Sequence, residues 1–210
     1  MNDQEIIAGE EEKEEEQYDS KQFFRDVITI GILVFLVIIP IHTFLFQPFF
    51  VRGSSMEPNF KDGEYLIVEE LGYKQTDAGI FGWNWFTVHP FAELKRDEVA
   101  VFHPPVSADS FYIKRVIGLP GETVQIKNGK IVIFNKDTPN GFVLEEVGYL
   151  NPLVVTVADL KVTLADDEYY VLGDNRGMSQ DSRFFGPVKK DHVIGKVVFR
   201  AWPLDRYGIL

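Results

Sequence analysis

The chain has 210 residues and a formal net charge of −11, enough for one moderate domain plus extra segments. Residues 1–19 hold nine acids and one base (−8), so the remaining chain carries only −3 and the acidity belongs to a tail. There are no cysteines, which excludes disulfides, thiolate zinc sites and a cysteine nucleophile, and no basic patch stands out to neutralise nucleic-acid phosphates.

Crowded like charges cannot bury apolar surface, so residues 1–19 read as a solvated, disordered acidic tail. Residues 20–47 read as a membrane anchor. Its core, Val27–Phe46 (VITIGILVFLVIIPIHTFLF), lacks Asp, Glu, Lys and Arg. At about 1.5 Å per helical residue, such a run matches the hydrocarbon thickness of a bilayer, which predicts a single transmembrane helix. A cleavable leader is disfavoured: the run is too long for the apolar core of one, and Phe46-Gln47-Pro48-Phe49 offers no small-residue cleavage site. Lys13, Lys21 and Arg25 before the run, against Arg52 and Lys61 after it, place the N-terminus on the cytoplasmic side.

From about Phe49 the pattern changes to short β-rich runs: 64–68, 98–102, 111–117, 123–126, 130–134, 168–172 and 193–199, separated by turn signals such as Asp62-Gly63, Pro120-Gly121 and Asn128-Gly129. Residues 125–132 predict a hairpin with a type I′ turn. The fold class expected is mainly β, a partly closed barrel or sandwich. The aromatic stretch GIFGWNWFTVHPF (79–91) fits either a membrane-resting loop carrying Trp83 and Trp85 or an aromatic core or lid.

Three segments hold the candidate chemistry. The first is Val51-Arg52-Gly53-Ser54-Ser55-Met56-Glu57-Pro58, just past the apolar run, where a serine is either loop chemistry or a nucleophile at a bilayer surface. A nucleophile needs a base. His42, His89, His103 and His192 form no catalytic motif, and no G-x-S-x-G elbow exists. The second segment, Phe111–Ile117, offers a lysine instead. Strand alternation sets Tyr112, Lys114 and Val116 on one face and Ile113, Arg115 and Ile117 on the other. A lysine among apolar side chains acts as a base when burial lowers its pKa, although an edge-strand lysine that blocks aggregation has the same pattern. The third segment, GDNRGMSQDSRFFG (173–186), alternates charge in a way that suits a network of Asp174, Arg176, Asp181 and Arg183, or a solvated turn.

Taken together, SSMEP (54–58), YIKRVIGLPGE (112–122) and GDNRGMSQDSRFFG (173–186) resemble the signature boxes of the type I signal peptidases, and KRDEVAVFHPP (95–105) resembles a fourth. The resemblance covers residues 27–210. It implies a Ser-Lys dyad with Ser55 as nucleophile, Ser54 being the weaker candidate, and Lys114 as general base. It implies that Ser179 orients the lysine by a hydrogen bond, that Asp174, Asp181, Arg183 and Arg115 support the site, and that Phe49, Val51, Met56, Phe60, Tyr112 and Ile113 bind substrate. Gly53 stands where some members carry an oxyanion-binding serine, which leaves that role to the backbone near Ser55 and Gly53. Asn59 replaces a more usual threonine, and a local side-chain-to-backbone bond is expected of it.

The resemblance further implies a catalytic domain built from 48–121 and 168–210, a smaller β-rich cap subdomain from 122–167, and no metal or other cofactor. The implied partners are preprotein signal peptides cut after an Ala-x-Ala pattern, the lipid bilayer and the protein-export machinery. The implied location is the cell membrane, single-pass, with the catalytic domain on the extracytoplasmic face. Two alternatives stand beside this reading: a Ser-Lys processing protease dedicated to one secretion or conjugation substrate, and a non-catalytic, membrane-anchored β domain that binds extended peptides.

Overall fold

The computed structural model describes residues 20–38, 45–74, 76–80, 83–107 and 109–210, with the side chains of 38, 76–80, 83–86 and 88 left out of the description. The chain divides into two compact units, residues 1–43 and 44–210. The acidic tail lies outside the described residues.

In the first unit, helix α1 (Ser20–Leu33) continues as a π-helical segment, Val34–Ile38. No residue of α1 is buried, and Phe24, Val27, Ile28, Ile30, Ile32 and Leu33 all expose half or more of their surface. Among the described residues no helix is long and apolar enough to cross a membrane. The span expected over 27–46 falls partly on residues 39–44, outside the description. Its far end requires correction, because Phe46 already belongs to a strand. Gln47-Pro48-Phe49 follows at once, and a proline next to aromatic residues favours extended backbone over helix.

The second unit is built on one antiparallel sheet. Its path runs β1 (Phe46–Phe50), β2 (Tyr65–Glu69), β13 (Val193–Trp202), β5 (Val99–Phe102), β6 (Tyr112–Gly118), β11 (Glu168–Leu172) and β12 (Val188–Lys189), with β14 (Gly208–Ile209) added to β13. Register shifts in β13 and at Tyr170/Val171 mark bulges, which bend and twist the strands they interrupt and curl the sheet into a half-barrel. The two faces of β6 explain its sequence. Val116 joins a core with Ala100, Phe102, Tyr169 and Val171, while Ile113 packs against a second core of Val51, Met56, Phe60, Leu66 and Val101.

A second sheet holds β10 (Leu160–Thr163), β7 (Thr123–Lys127), β8 (Lys130–Phe134) and β9 (Phe142–Val143), in that order. The β7–β8 hairpin has the predicted turn, with positive φ at Asn128 (52°) and Gly129 (75°). Val124, Ile126, Ile131 and Ile133 share a core with Ile117, Tyr170 and Leu172, so this sheet is seated on β6 and β11, the strands that carry the second and third sequence segments. A separate two-stranded sheet, β3 (Thr76–Ile80) and β4 (Trp83–Val88), takes up most of the aromatic stretch. The side chains of Trp83 and Trp85 lie outside the description.

Candidate active site

The loop that carries Ser55 (51–64) leaves β1 and returns to β2. Val51 closes it at the base: its N–H donates to Glu64 O (2.9 Å) and its carbonyl accepts from Gly63 N–H (3.0 Å). Gly53 has φ 86°, a left-handed conformation that disfavours side chains. Its N–H donates to Asp62 Oδ1 at 2.7 Å, so this donor is engaged within its own loop. The expectation that the Gly53 amide serves the oxyanion is therefore corrected: a carboxylate within its own loop already holds it.

Across the loop, β6 presents Lys114 beside Ser55. The two residues are 59 apart in sequence, yet Lys114 Nζ lies 2.8 Å from Ser55 Oγ. The same Nζ donates to Ile113 O at 2.8 Å, which fixes the amine's direction. Only 3% of Lys114 is exposed. Burial lowers its pKa from 10.5 to about 8, against the opposing pull of the Asp181 and Asp174 carboxylates. A lysine in that range is neutral often enough near neutral pH to accept a proton.

The support around the pair comes from the third segment. Asp181 is fully buried. It accepts from the Gly173 N–H (3.0 Å) and the Arg183 guanidinium (2.8 and 2.9 Å), and it caps the short helix α2 (Ser182–Phe185). Asp174 accepts from Arg115 Nε (2.8 Å) and Nη2 (2.6 Å), a two-point pair that fixes the geometry of both side chains. Asn175 N–H donates to Ser55 O at 3.0 Å. Gly173 permits this approach, since a Cβ there would lie 2.4 Å from Ser55 O and 2.2 Å from Ser179 Oγ.

Several expected roles change. Ser179 is buried beside this strand end, but its Oγ has no hydrogen-bond partner among the described residues, and the expected bond to Lys114 is not formed. The acceptors Lys114 finds are Ser55 and Ile113. Met56 and Phe60, expected to bind substrate, are 1% and 3% exposed in the core beneath the loop, because a turn after Ser55 drives both side chains inward. Arg176 pairs with neither Asp174 nor Asp181. It reaches Glu146 and Thr156 and ties the end of β11 to the segment between the second and third motifs. Asn59 makes no local side-chain bond among the described residues. Its Nδ2 donates to Asp174 Oδ2 (2.8 Å) and Tyr149 O (2.7 Å).

A cleft of about 790 Å³ opens on Ser55 and Lys114. Phe49, Val51, Tyr112 and Ile113 line it as expected, joined by Phe50, Leu66, Val101 and Phe111, with Met178 and Gln180 at one side. The Phe49 and Phe111 rings meet edge to face at 5.4 Å, and Phe111 rests on the His103 ring at 4.7 Å. The cleft lining is mostly apolar with polar groups near Ser55, and β1, an edge strand of the sheet, contributes Phe49 and Phe50 to it. Among the described residues no cluster of His, Asp or Glu is placed to hold a metal ion.

A serine beside a buried lysine, at the end of an apolar groove, is the arrangement of a serine endopeptidase. The sequence model for "Signal peptidase, peptidase S26" matches residues 24–202, and the chain belongs to that family. Signal peptidase IB of Staphylococcus aureus strain Mu50 is 31% identical over 197 residues, 89% of this chain and 93% of that protein. Signal peptidase I of Leptolyngbya laminosa is 36% identical over 189 residues, 87% of this chain and 81% of that protein. A solved structure of a signal peptidase I from Enterococcus faecalis V583 is 31% identical and covers 50% of this chain and 97% of that one, with a TM-score of 0.41. The protein is thus a serine endopeptidase of the signal peptidase I type, and its substrates are preproteins carrying signal peptides.

Proposed function

We propose that Ser55 and Lys114 are the catalytic dyad and that the protein cuts signal peptides after an Ala-x-Ala pattern through an acyl-enzyme. The observation that carries this reading is the 2.8 Å contact between Lys114 Nζ and Ser55 Oγ, with the lysine buried. Neutral Lys114 takes the Ser55 hydroxyl proton as Oγ bonds to the scissile carbonyl carbon, which pushes charge onto the carbonyl oxygen. Collapse of this intermediate breaks the C–N bond. The Lys114 ammonium protonates the departing amine and leaves an ester on Ser55. A water, deprotonated by the now neutral lysine, hydrolyses the ester, releases the signal peptide as a carboxylate and restores the serine. Asp174, Asp181, Arg115 and Arg183 hold the strand ends, and Ser179 fills the buried space beside Gly173.

In this reading residues 48–121 and 168–210 form the catalytic part and 122–167 the cap. The apolar run from Val27 anchors the chain in the cell membrane, N-terminus inside, with the catalytic unit on the extracytoplasmic face. The half-exposed apolar side chains of α1 support an apolar environment for that segment. Purified full-length protein is assayed on a panel of unrelated Ala-x-Ala precursors. Cleavage of the panel by the wild type, and background rates for Ser55→Ala and Lys114→Ala at unchanged melting temperature, are expected. Retained cleavage by either variant contradicts the dyad, and cleavage of a single precursor favours a dedicated processing protease.

A further inference from the structure

The oxyanion formed on the scissile carbonyl needs a hydrogen-bond donor, and the Gly53 N–H is committed to Asp62. The peptide group between Ser54 and Ser55 is held differently. Its carbonyl, Ser54 O, accepts from Asn175 Nδ2 and from Glu57 N–H, both at 3.1 Å. The peptide is trans, so its N–H points opposite to its carbonyl. Pinning Ser54 O from the Asn175 side therefore turns the Ser55 N–H the other way, and no described residue accepts from it. The next carbonyl, Ser55 O, is held by the Asn175 main-chain N–H (3.0 Å). Asn175 thus grips the peptide planes before and after the nucleophile, one with its side chain and one with its backbone. It is half-buried, and its own carbonyl accepts from Met178 N–H in a tight turn, which restricts the side chain.

We infer that Asn175 is a positioning residue for the oxyanion: its side-chain amide sets the Ser54–Ser55 peptide plane so that the Ser55 N–H is the main-chain donor to the developing charge. Without the Nδ2 bond, Ser54 O is held by Glu57 N–H alone and the plane rocks, so the donor meets the oxyanion at a poorer angle. The inference rests on Ser55 being the nucleophile.

The test uses full-length Asn175→Ala and Asn175→Asp, with Ser55→Ala as the control arm. Asn175→Asp has nearly the same shape but presents an acceptor to Ser54 O. Turnover of an Ala-x-Ala precursor is measured beside the affinity of a peptide aldehyde, whose hemiacetal with Ser55 Oγ places an oxyanion-like oxygen in the site, and of the matching peptide carboxylate product. Both variants are expected to lose about 10- to 100-fold in kcat, with KM within about two-fold of wild type. Aldehyde affinity is expected to fall by the same factor as kcat/KM, while product affinity and melting temperature stay at wild-type values. Wild-type kcat in both variants overturns the inference. So does a parallel loss of product affinity or melting temperature that accounts for the lost turnover, since that marks Asn175 as a folding contact only. Turnover or aldehyde adduct formation by Ser55→Ala sinks the dyad reading instead, which keeps the two failures apart.

Discussion

The lowered pKa of Lys114 makes the pH profile a quantitative test of its role. With a pKa of about 8, roughly a tenth of Lys114 is neutral at about pH 7, whereas an unshifted lysine at 10.5 would be neutral in only about one molecule in 3,000. Burial alone therefore supplies about 300-fold more active base near neutrality. The perturbation is pH itself: kcat/KM on an Ala-x-Ala peptide should rise about tenfold from pH 7 and level off above about pH 9. Stability should follow the same group. The folded protein releases this proton near pH 8 and the unfolded chain near 10.5, so between the two the unfolded chain holds the extra proton and stability rises with pH. Below about 8 both states are protonated, and the folded state bears the full cost of the buried cation, about 3 kcal/mol for the shift. Lys114→Met, similar in size and uncharged, should then be about 2–3 kcal/mol more stable than wild type near pH 7, with the gap closing towards pH 10, as read by chemical denaturation. A flat activity profile, a limb near the ordinary histidine pKa, or a stability gap that widens with pH would refute the assignment.

Other expectations follow from the supporting contacts. Asn59→Ala removes a donor from the buried Asp174 carboxylate and a link to Tyr149, and should cost about 1–3 kcal/mol in thermal or urea unfolding. Gly173→Ala should abolish cleavage more than it lowers the melting temperature, because its Cβ would push directly on Ser55 O and Ser179 Oγ. Arg176→Leu leaves Glu146 and Thr156 without their shared partner and should cost about 3 kcal/mol. Limited proteolysis should then cut first between residues 144 and 160.

The strands are largely legible in alternation and turn residues. Lys130–Phe134 and Glu168–Leu172 have the expected bounds, and β6 buries Lys114 on the face shared with Val116. The pairing of charges was not legible, because it depends on register between distant strands. Arg115 lies opposite Leu172, two residues before Asp174, so sheet geometry gives Asp174 the arginine 59 residues away rather than the neighbouring Arg176. Arg176 finds Glu146 in a stretch that carries no motif. The burial of Met56 and Phe60 is not legible, because an irregular loop has no period to tell an inward side chain from a cleft-facing one. Asn59 and Asn175 were missed as contacts for a related reason: an amide makes local bonds so readily that sequence gives no sign of a long-range one. The apolar run predicts a helix to Phe46, but hydropathy gives no sign that Phe46 already belongs to β1.

The most direct test of the dyad is the site of the covalent intermediate. A precursor is mixed with full-length enzyme for a single turnover, quenched in acid and digested with trypsin, which cuts after Arg52 and Lys61 and leaves both serines in one peptide, 53–61. Fragment masses should place the acyl group on Ser55 and none on Ser54, and Ser55→Ala should yield no adduct. An acyl group on Ser54, or turnover by Ser55→Ala, would contradict the account.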